Sequence, residues 1–108
     1  MRTLIIGDIV GRTGRNAVLE HLPGLIDRLS LDFVIANGEN ATHGFGLSPE
    51  HATALLGAGV DCIILGNHSF DRKEIIPMME SDDRILRPLN YPAGTPGRGH
   101  GVFTARNG

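Results

Sequence analysis

The sequence predicts an α/β fold that opens with a parallel βαβαβ run, and three observations carry that prediction. Three short apolar runs, Thr3 to Ile6, Phe33 to Ala36 and Cys62 to Leu65, are rich in β-branched and aliphatic residues, as buried strands are. The segments between them carry helical apolar spacing or helix-start signals and are long enough to cross over a sheet. Each run passes directly into glycine and polar residues: Gly7-Asp8, Asn37-Gly38-Glu39-Asn40 and Gly66-Asn67-His68. Strand-helix alternation of this kind implies parallel strands joined by right-handed connections.

Between the first two runs, Val18, Leu22, Leu25, Ile26 and Leu29 recur at helical spacing within Arg15 to Leu29. Pro23 lacks an N–H and is expected to kink or split this helix. Ahead of the third run, Ser48 supplies an N-cap, Pro49 suits the first helical position, and Gly57 or Gly59 ends the helix. A third helix is expected to start at Asp71 as its cap, with Glu74 three residues later as in a capping box. Ile75, Met78 and Met79 would face the core, and Pro77 would shorten or bend the helix.

The stretch from Arg87 to Gly99 reads as a Pro/Gly loop, and Gly101 to Ala105 as a fourth strand. Asn107-Gly108 is a strong two-residue hairpin signal with no returning strand after it. The expectation is therefore a single domain over residues 1–108, the N-terminal portion of a domain that continues beyond residue 108.

Composition narrows the function classes. The chain has 108 residues, 41% hydrophobic and 20% charged, with a formal net charge of -2. That is an ordinary globular composition, without the basic excess of a general nucleic-acid binder. Cys62, the single cysteine, lies in an apolar run, so it is expected to be buried as a small hydrophobe. The apolar start stops at Asp8, too short for a signal sequence or membrane span, so a cytoplasmic location without membrane association is expected.

In an open α/β sheet, strand ends lie side by side along the edge where ligands bind. Residues distant in sequence then converge: Asp8, Glu39, Asn40, Asn67 and His68. Two carboxylates gathered in one crevice repel each other, a conflict that a metal ion removes. Carboxylate and amide oxygens suit hard or borderline divalent cations, and Glu39 has two oxygens with which to bridge a metal pair. Neutral ligands at Asn40 and Asn67 spare an anionic phosphate from repulsion. Taken singly, an Asp after a strand is more often a turn former or helix cap. Three consecutive polar strand ends favour one shared site.

His68 follows a candidate ligand directly, which favours a role as an acid over a core histidine or a ligand. His43 lies in a glycine-flanked loop, solvated or touching substrate, whereas His21, His51 and His100 read as surface residues. Gly7 to Gly14 also invites a dinucleotide-binding reading. Its glycine spacing departs from that fingerprint, and Asp8 would oppose a pyrophosphate. Arg12 and Arg15 are read as solvated helix residues, with a contact to substrate phosphate as the alternative.

The ordered set Ile6-Gly-Asp-Ile-Val-Gly, Ala36-Asn-Gly-Glu-Asn-Ala, Leu65-Gly-Asn-His and Arg87-Pro-Leu-Asn-Tyr-Pro-Ala-Gly-Thr-Pro-Gly resembles the bacterial YmdB-like metallophosphoesterases, within the calcineurin-like superfamily, over nearly the whole chain. The resemblance implies the N-terminal part of a four-layer α/β/β/α metallophosphoesterase sandwich. It implies two divalent or mixed-valence metal ions, iron in first place and manganese as the alternative. Carried over by motif, Asp8 and Asn40 would bind the first metal, Glu39 would bridge both, Asn67 would bind the second and His68 would donate a proton. The family completes its metal pair with later histidines, including a Gly-x-His-x-His segment that this chain lacks. Ser69-Phe70 stands where the family commonly has a Trp, and Phe70 keeps an apolar anchor.

The expected activity is hydrolysis of cyclic nucleotides, 2′,3′-cyclic or 3′,5′-cyclic, or of related phosphodiesters, by a two-metal-activated hydroxide in the complete protein. The 108-residue piece alone is expected to show weak metal binding and little or no turnover. The partner is a small phosphodiester, and assembly into a homo-oligomer is left open. The rivals are a non-catalytic nucleotide-binding or regulatory α/β module, and an inactive fragment.

Overall fold

In the computed structural model, which describes residues 1–108, the elements follow one another as strand β1 (Thr3–Asp8), helix α1 (Gly11–Leu29), β2 (Phe33–Asn37), α2 (Pro49–Ala58), β3 (Cys62–Ile64), a 3-10 turn at Lys73–Ile75, α3 (Ile76–Ser81) and β4 (Ile85–Leu86). All pairings are parallel, in the spatial order β1-β2-β3-β4. Ile5 stands beside Ile35 and Ile35 beside Cys62, so corresponding positions share one face. Each crossover steps in the same direction, which puts α1 and α2 on one side of the sheet, packed on each other.

The core lies between the opposite face of the sheet and the helices. Val34, Ala36, Ile63 and Ile85 from the strands meet Leu22, Leu55, Ile75 and Met79 from the helical segments, all essentially without solvent exposure. Each large apolar side chain so buried contributes about 1.5–3 kcal/mol. The other face is only partly covered. Ile5 is 70% exposed there, so β1 is a half-open edge strand rather than the buried strand expected from its composition. A continuous apolar run does not reveal which of its faces is covered. Phe103 shields part of this face by packing edge-on against Phe33, ring centroids 5.5 Å apart.

Helix α1 begins at Gly11, earlier than its apolar spacing suggests, and passes through Pro23 unbroken. Pro23 is exposed, while Leu22, Leu25 and Ile26 on either side of it pack on the core and hold the helix. Helix α2 matches expectation: the Ser48 Oγ accepts from the His51 N–H at 3.2 Å, and the helix ends at Gly59 with φ 121°. Cys62 is buried, and burial pushes its thiol pKa up to about 11. No helix is long and apolar enough to cross a membrane.

Two further expectations are corrected. Asp71 caps no helix: a 3-10 turn intervenes, α3 starts at Ile76, and Pro77 sits in its first turn, where its missing N–H costs nothing. Ile75 and Met79 are fully buried as predicted, and Met78 packs beside them. The fourth strand is Ile85–Leu86, whose two residues are too few to form a readable pattern. Gly101 to Ala105 pairs with no strand. That segment crosses the strand starts, tied by the Arg106 N–H to Asp32 O at 2.9 Å and by the Arg106 guanidinium to Asp61 at 2.7 Å.

Candidate metal centre

Parallel pairing sets the ends of β1, β2 and β3 on one edge of the sheet, with Asp8 beside Asn37 and Asn37 beside Ile64. A register shift between Ile6 and Asp8 marks an irregularity at Gly7. The chain then turns outward after each strand, and the polar residues found there meet in two groups.

In the first group, both Asp8 carboxylate oxygens accept from the Asn40 amide Nδ2, at 3.0 and 2.9 Å. In the second, Glu39 Oε1 accepts from Asn37 Nδ2 at 3.3 Å and Oε2 from the His68 backbone N–H at 3.2 Å. The Glu39 N–H returns a bond to Asn37 Oδ1 at 3.0 Å, closing a local ring. Asn67 Nδ2 lies 3.5 Å from His68 Nε2. The structure thus joins Asp8 to Asn40, and Glu39 to the Asn67-His68 loop.

Several supporting residues escape a reading of strand ends. Asn37 is the last residue of β2 and orients Glu39. The Tyr91 hydroxyl donates to Gly66 O at 3.1 Å, and its ring lies 6.0 Å from that of Phe70, so the Pro/Gly loop braces the turn that carries Asn67 and His68. Arg15 Nη1 donates to Ala41 O at 2.6 Å, so this side chain anchors the loop after Asn40 rather than extending into solvent. Asp71 Oδ2 accepts from His68 Nδ1 at 2.6 Å. No reading of the sequence announced these contacts, since they depend on three-dimensional proximity.

His51 is also corrected from its surface reading. The buried Thr42 hydroxyl accepts from the Ser48 N–H at 2.8 Å and is hydrogen-bonded to His51 Nδ1 at 2.7 Å. Partial burial, then the charge of Arg15, holds the His51 pKa below the ordinary histidine value. His43 is exposed in a left-handed conformation, φ 53°.

The donor chemistry fits divalent metal ions. Asn40 and Asn67 engage their neighbours through Nδ2, so Oδ1 of each makes no hydrogen bond within the chain. With the Asp8 and Glu39 carboxylates, these form an all-oxygen set beside one imidazole. Gly66 completes the cradle: a Cβ there would stand 2.5 Å from both Glu39 carboxylate oxygens. The set is sparse in charge, and no three His, Cys, Asp or Glu side chains cluster as a metal site anywhere in the chain. The surface concavities, of about 350 and 260 Å³, are lined by other residues, so these donors stand on an open edge.

The first glycine-rich turn does not form a phosphate cradle. Gly11, with φ 60°, gives its N–H to Asn40 O at 3.0 Å, so the start of α1 is spent on the neighbouring loop. The turn positions Asp8 and Asn40 instead.

A sequence profile described as YmdB-like protein matches residues 4–108. The chain belongs to the YmdB-like family. This YmdB-like chain is 46% identical over 99 residues to a 2′,3′-cyclic-nucleotide 2′-phosphodiesterase of Bacillus subtilis, covering 92% of its own length and 38% of the relative's. It is 38% identical over 90 residues to a putative phosphatase/phosphodiesterase of Mycoplasma genitalium, covering 83% of its length and 32% of that protein. A crystal structure of a hypothetical protein from Thermus thermophilus superposes with a TM-score of 0.86 at 52% identity, covering 92% of this chain and 38% of that one. A phosphatase from Mycoplasma pneumoniae superposes at 0.82 with 36% identity, covering 90% and 36%. The YmdB-like chain therefore spans between 32% and 38% of the length of these relatives.

Proposed function

We propose that these residues supply one half of a dinuclear phosphodiesterase centre, which acts in a protein of the relatives' length. The observation that carries this reading is the meeting of three strand ends, where Asp8 is held by Asn40 and Glu39 by Asn37 and the His68 N–H. Asp8 and Asn40 would hold one metal, Glu39 would bridge, and Asn67 would hold the second. Bound metal ions would neutralise phosphate charge and make water nucleophilic at neutral pH.

This chain's residues have their own tasks. Asn37 and the His68 N–H fix the Glu39 carboxylate, and the uncharged amides keep the edge receptive to an anion. His68 donates a proton to the leaving oxygen, whose charge develops as the P–O bond breaks. The name of the Bacillus subtilis relative favours a 2′,3′-cyclic nucleotide as substrate, and iron or manganese suits these oxygen donors completed by the family's later histidines. The remaining ligands would come from outside these 108 residues, so the isolated piece should bind metal weakly and turn over little.

The test is hydrolysis of a nucleoside 2′,3′-cyclic phosphate and a chromogenic phosphodiester by the relative-length protein, before and after chelation. The reading expects activity to vanish with the metal and to return with iron or manganese. Hydrolysis that persists in the chelator would contradict it.

A further inference from the structure

Asp71 stands where the sequence calls for a helix cap, yet it caps nothing. The 3-10 turn after it has Arg72 as its N-cap and α3 starts at Ile76, so its carboxylate is free of that structural duty. Its Oδ2 lies 2.6 Å from His68 Nδ1 instead. The backbone prepares this contact: the Ser69 N–H bonds Gly66 O at 3.0 Å and the Asp71 N–H bonds His68 O at 3.2 Å, so two successive turns bring residues 68 and 71 together. The buried Ser69 hydroxyl donates to Gly66 O, and the Tyr91 hydroxyl donates to the same oxygen, which fixes the first turn from both sides.

The pair is partly open to solvent, with side chains 40% and 37% exposed. An ion pair of that exposure adds little to folding stability. Its geometric effect is larger. A carboxylate on Nδ1 selects the tautomer and ring orientation of an imidazole, leaving Nε2 as the working atom. In this chain Nε2 lies beside Asn67, 3.5 Å from its Nδ2, so the second ring nitrogen is directed toward a proposed ligand.

We propose that Asp71 is the positioning residue for His68, holding Nδ1 so that Nε2 meets the leaving oxygen of the substrate. This rests on the reading of His68 as the acid. In the step, the water oxygen bonds to phosphorus and the P–O bond to the leaving group breaks with its electron pair on that oxygen. His68, carrying a proton on each ring nitrogen, passes the one on Nε2 to the same oxygen and keeps the one on Nδ1 against Asp71. The attacking water's proton goes to solvent, from which His68 regains its own.

The experiment compares Asp71→Asn, Asp71→Ala and His68→Ala in the metal-loaded, relative-length protein on two substrates. One is bis(p-nitrophenyl) phosphate, whose leaving group departs without a proton, and the other is a nucleoside 2′,3′-cyclic phosphate, whose leaving hydroxyl needs one. The proposal expects both Asp71 variants to lower kcat on the cyclic phosphate by about tenfold to a hundredfold. They should keep KM, metal content and p-nitrophenyl turnover within about threefold of the parent, a size well short of that loss. Nitrogen-15 spectra of the imidazole should show Nδ1 protonated and hydrogen-bonded in the parent and a changed Nδ1 signal in Asp71→Ala. Equal losses on both substrates, or an unchanged Nδ1 signal, would overturn the positioning role. His68→Ala separates the two ideas. Selective loss there without loss in the Asp71 variants removes Asp71 alone, whereas no selectivity in His68→Ala removes the acid reading and this proposal with it.

Discussion

Gly66 and the Glu39 carboxylate occupy space that a single methyl group would contest: a Cβ on Gly66 would lie 2.5 Å from both Glu39 oxygens and 2.6 Å from Cδ. The glycine is there for the carboxylate. Because the obstructed atoms end a flexible side chain, Gly66→Ala should fold with a stability change below about 1 kcal/mol, as substitutions outside packed cores do. The carboxylate must swing away, breaking its bonds from Asn37 and the His68 N–H. Metal affinity should fall about tenfold to a hundredfold, the usual effect of disturbing the groups that support a ligand. Manganese titration beside a thermal melt checks both halves; lost stability with intact metal affinity would refute this account of Gly66.

Gly38, on the same edge, should behave in the opposite way. A Cβ there would stand 2.9 Å from Ile63 Cγ2 and 3.4 Å from Leu47 Cδ2, both in the core. Gly38→Ala overpacks that region and should cost about 1–3 kcal/mol. Denaturant unfolding measures it.

Much of the fold could be read from the sequence because its signals are local. Ser48 and Pro49 start a helix wherever the rest of the chain lies, and they do so here. That strand ends meet was legible for a related reason: parallel strands of similar length put their ends together, so the joining of Asp8 to Asn40 and of Glu39 to the Asn67-His68 loop needed only correct strand assignments. What escaped depends on distance through space. Asp71 carries a helix-cap signature identical to that of a true cap, and only the fold shows His68 within its reach. Tyr91 sits in an apparent loop, yet it reaches back to Gly66. Ile85–Leu86 is recruited as a strand by pairing with β3, whereas Val102 and Phe103, better strand formers, find no partner strand.

The Ser48 cap offers a calibration. Its Oγ receives the His51 N–H, and its own N–H goes to the Thr42 hydroxyl. Ser48→Ala should cost about 1 kcal/mol. A melt or urea titration will read it, and Ser48→Thr should restore most of the loss.

His51 predicts a pH dependence. Burial, followed by the charge of Arg15, lowers its folded pKa, so the unfolded chain binds the proton more readily. Stability from this source is therefore complete above the unfolded value of about 6.5 and is lost as pH falls toward the folded value. The midpoint of thermal unfolding should decline over that window. His51→Gln should flatten the decline, and an equally steep decline in that variant would assign the effect to other groups.

The central claim is that Asp8 and Glu39 oxygens hold metal at the shared strand edge, and metal content measures it most directly. The relative-length protein, purified as parent, Asp8→Asn and Glu39→Gln and analysed for iron and manganese by mass spectrometry, should show two metals per chain in the parent. A clear loss should follow in each variant, while circular dichroism shows the fold retained. Parent-like metal content in both variants would contradict the account.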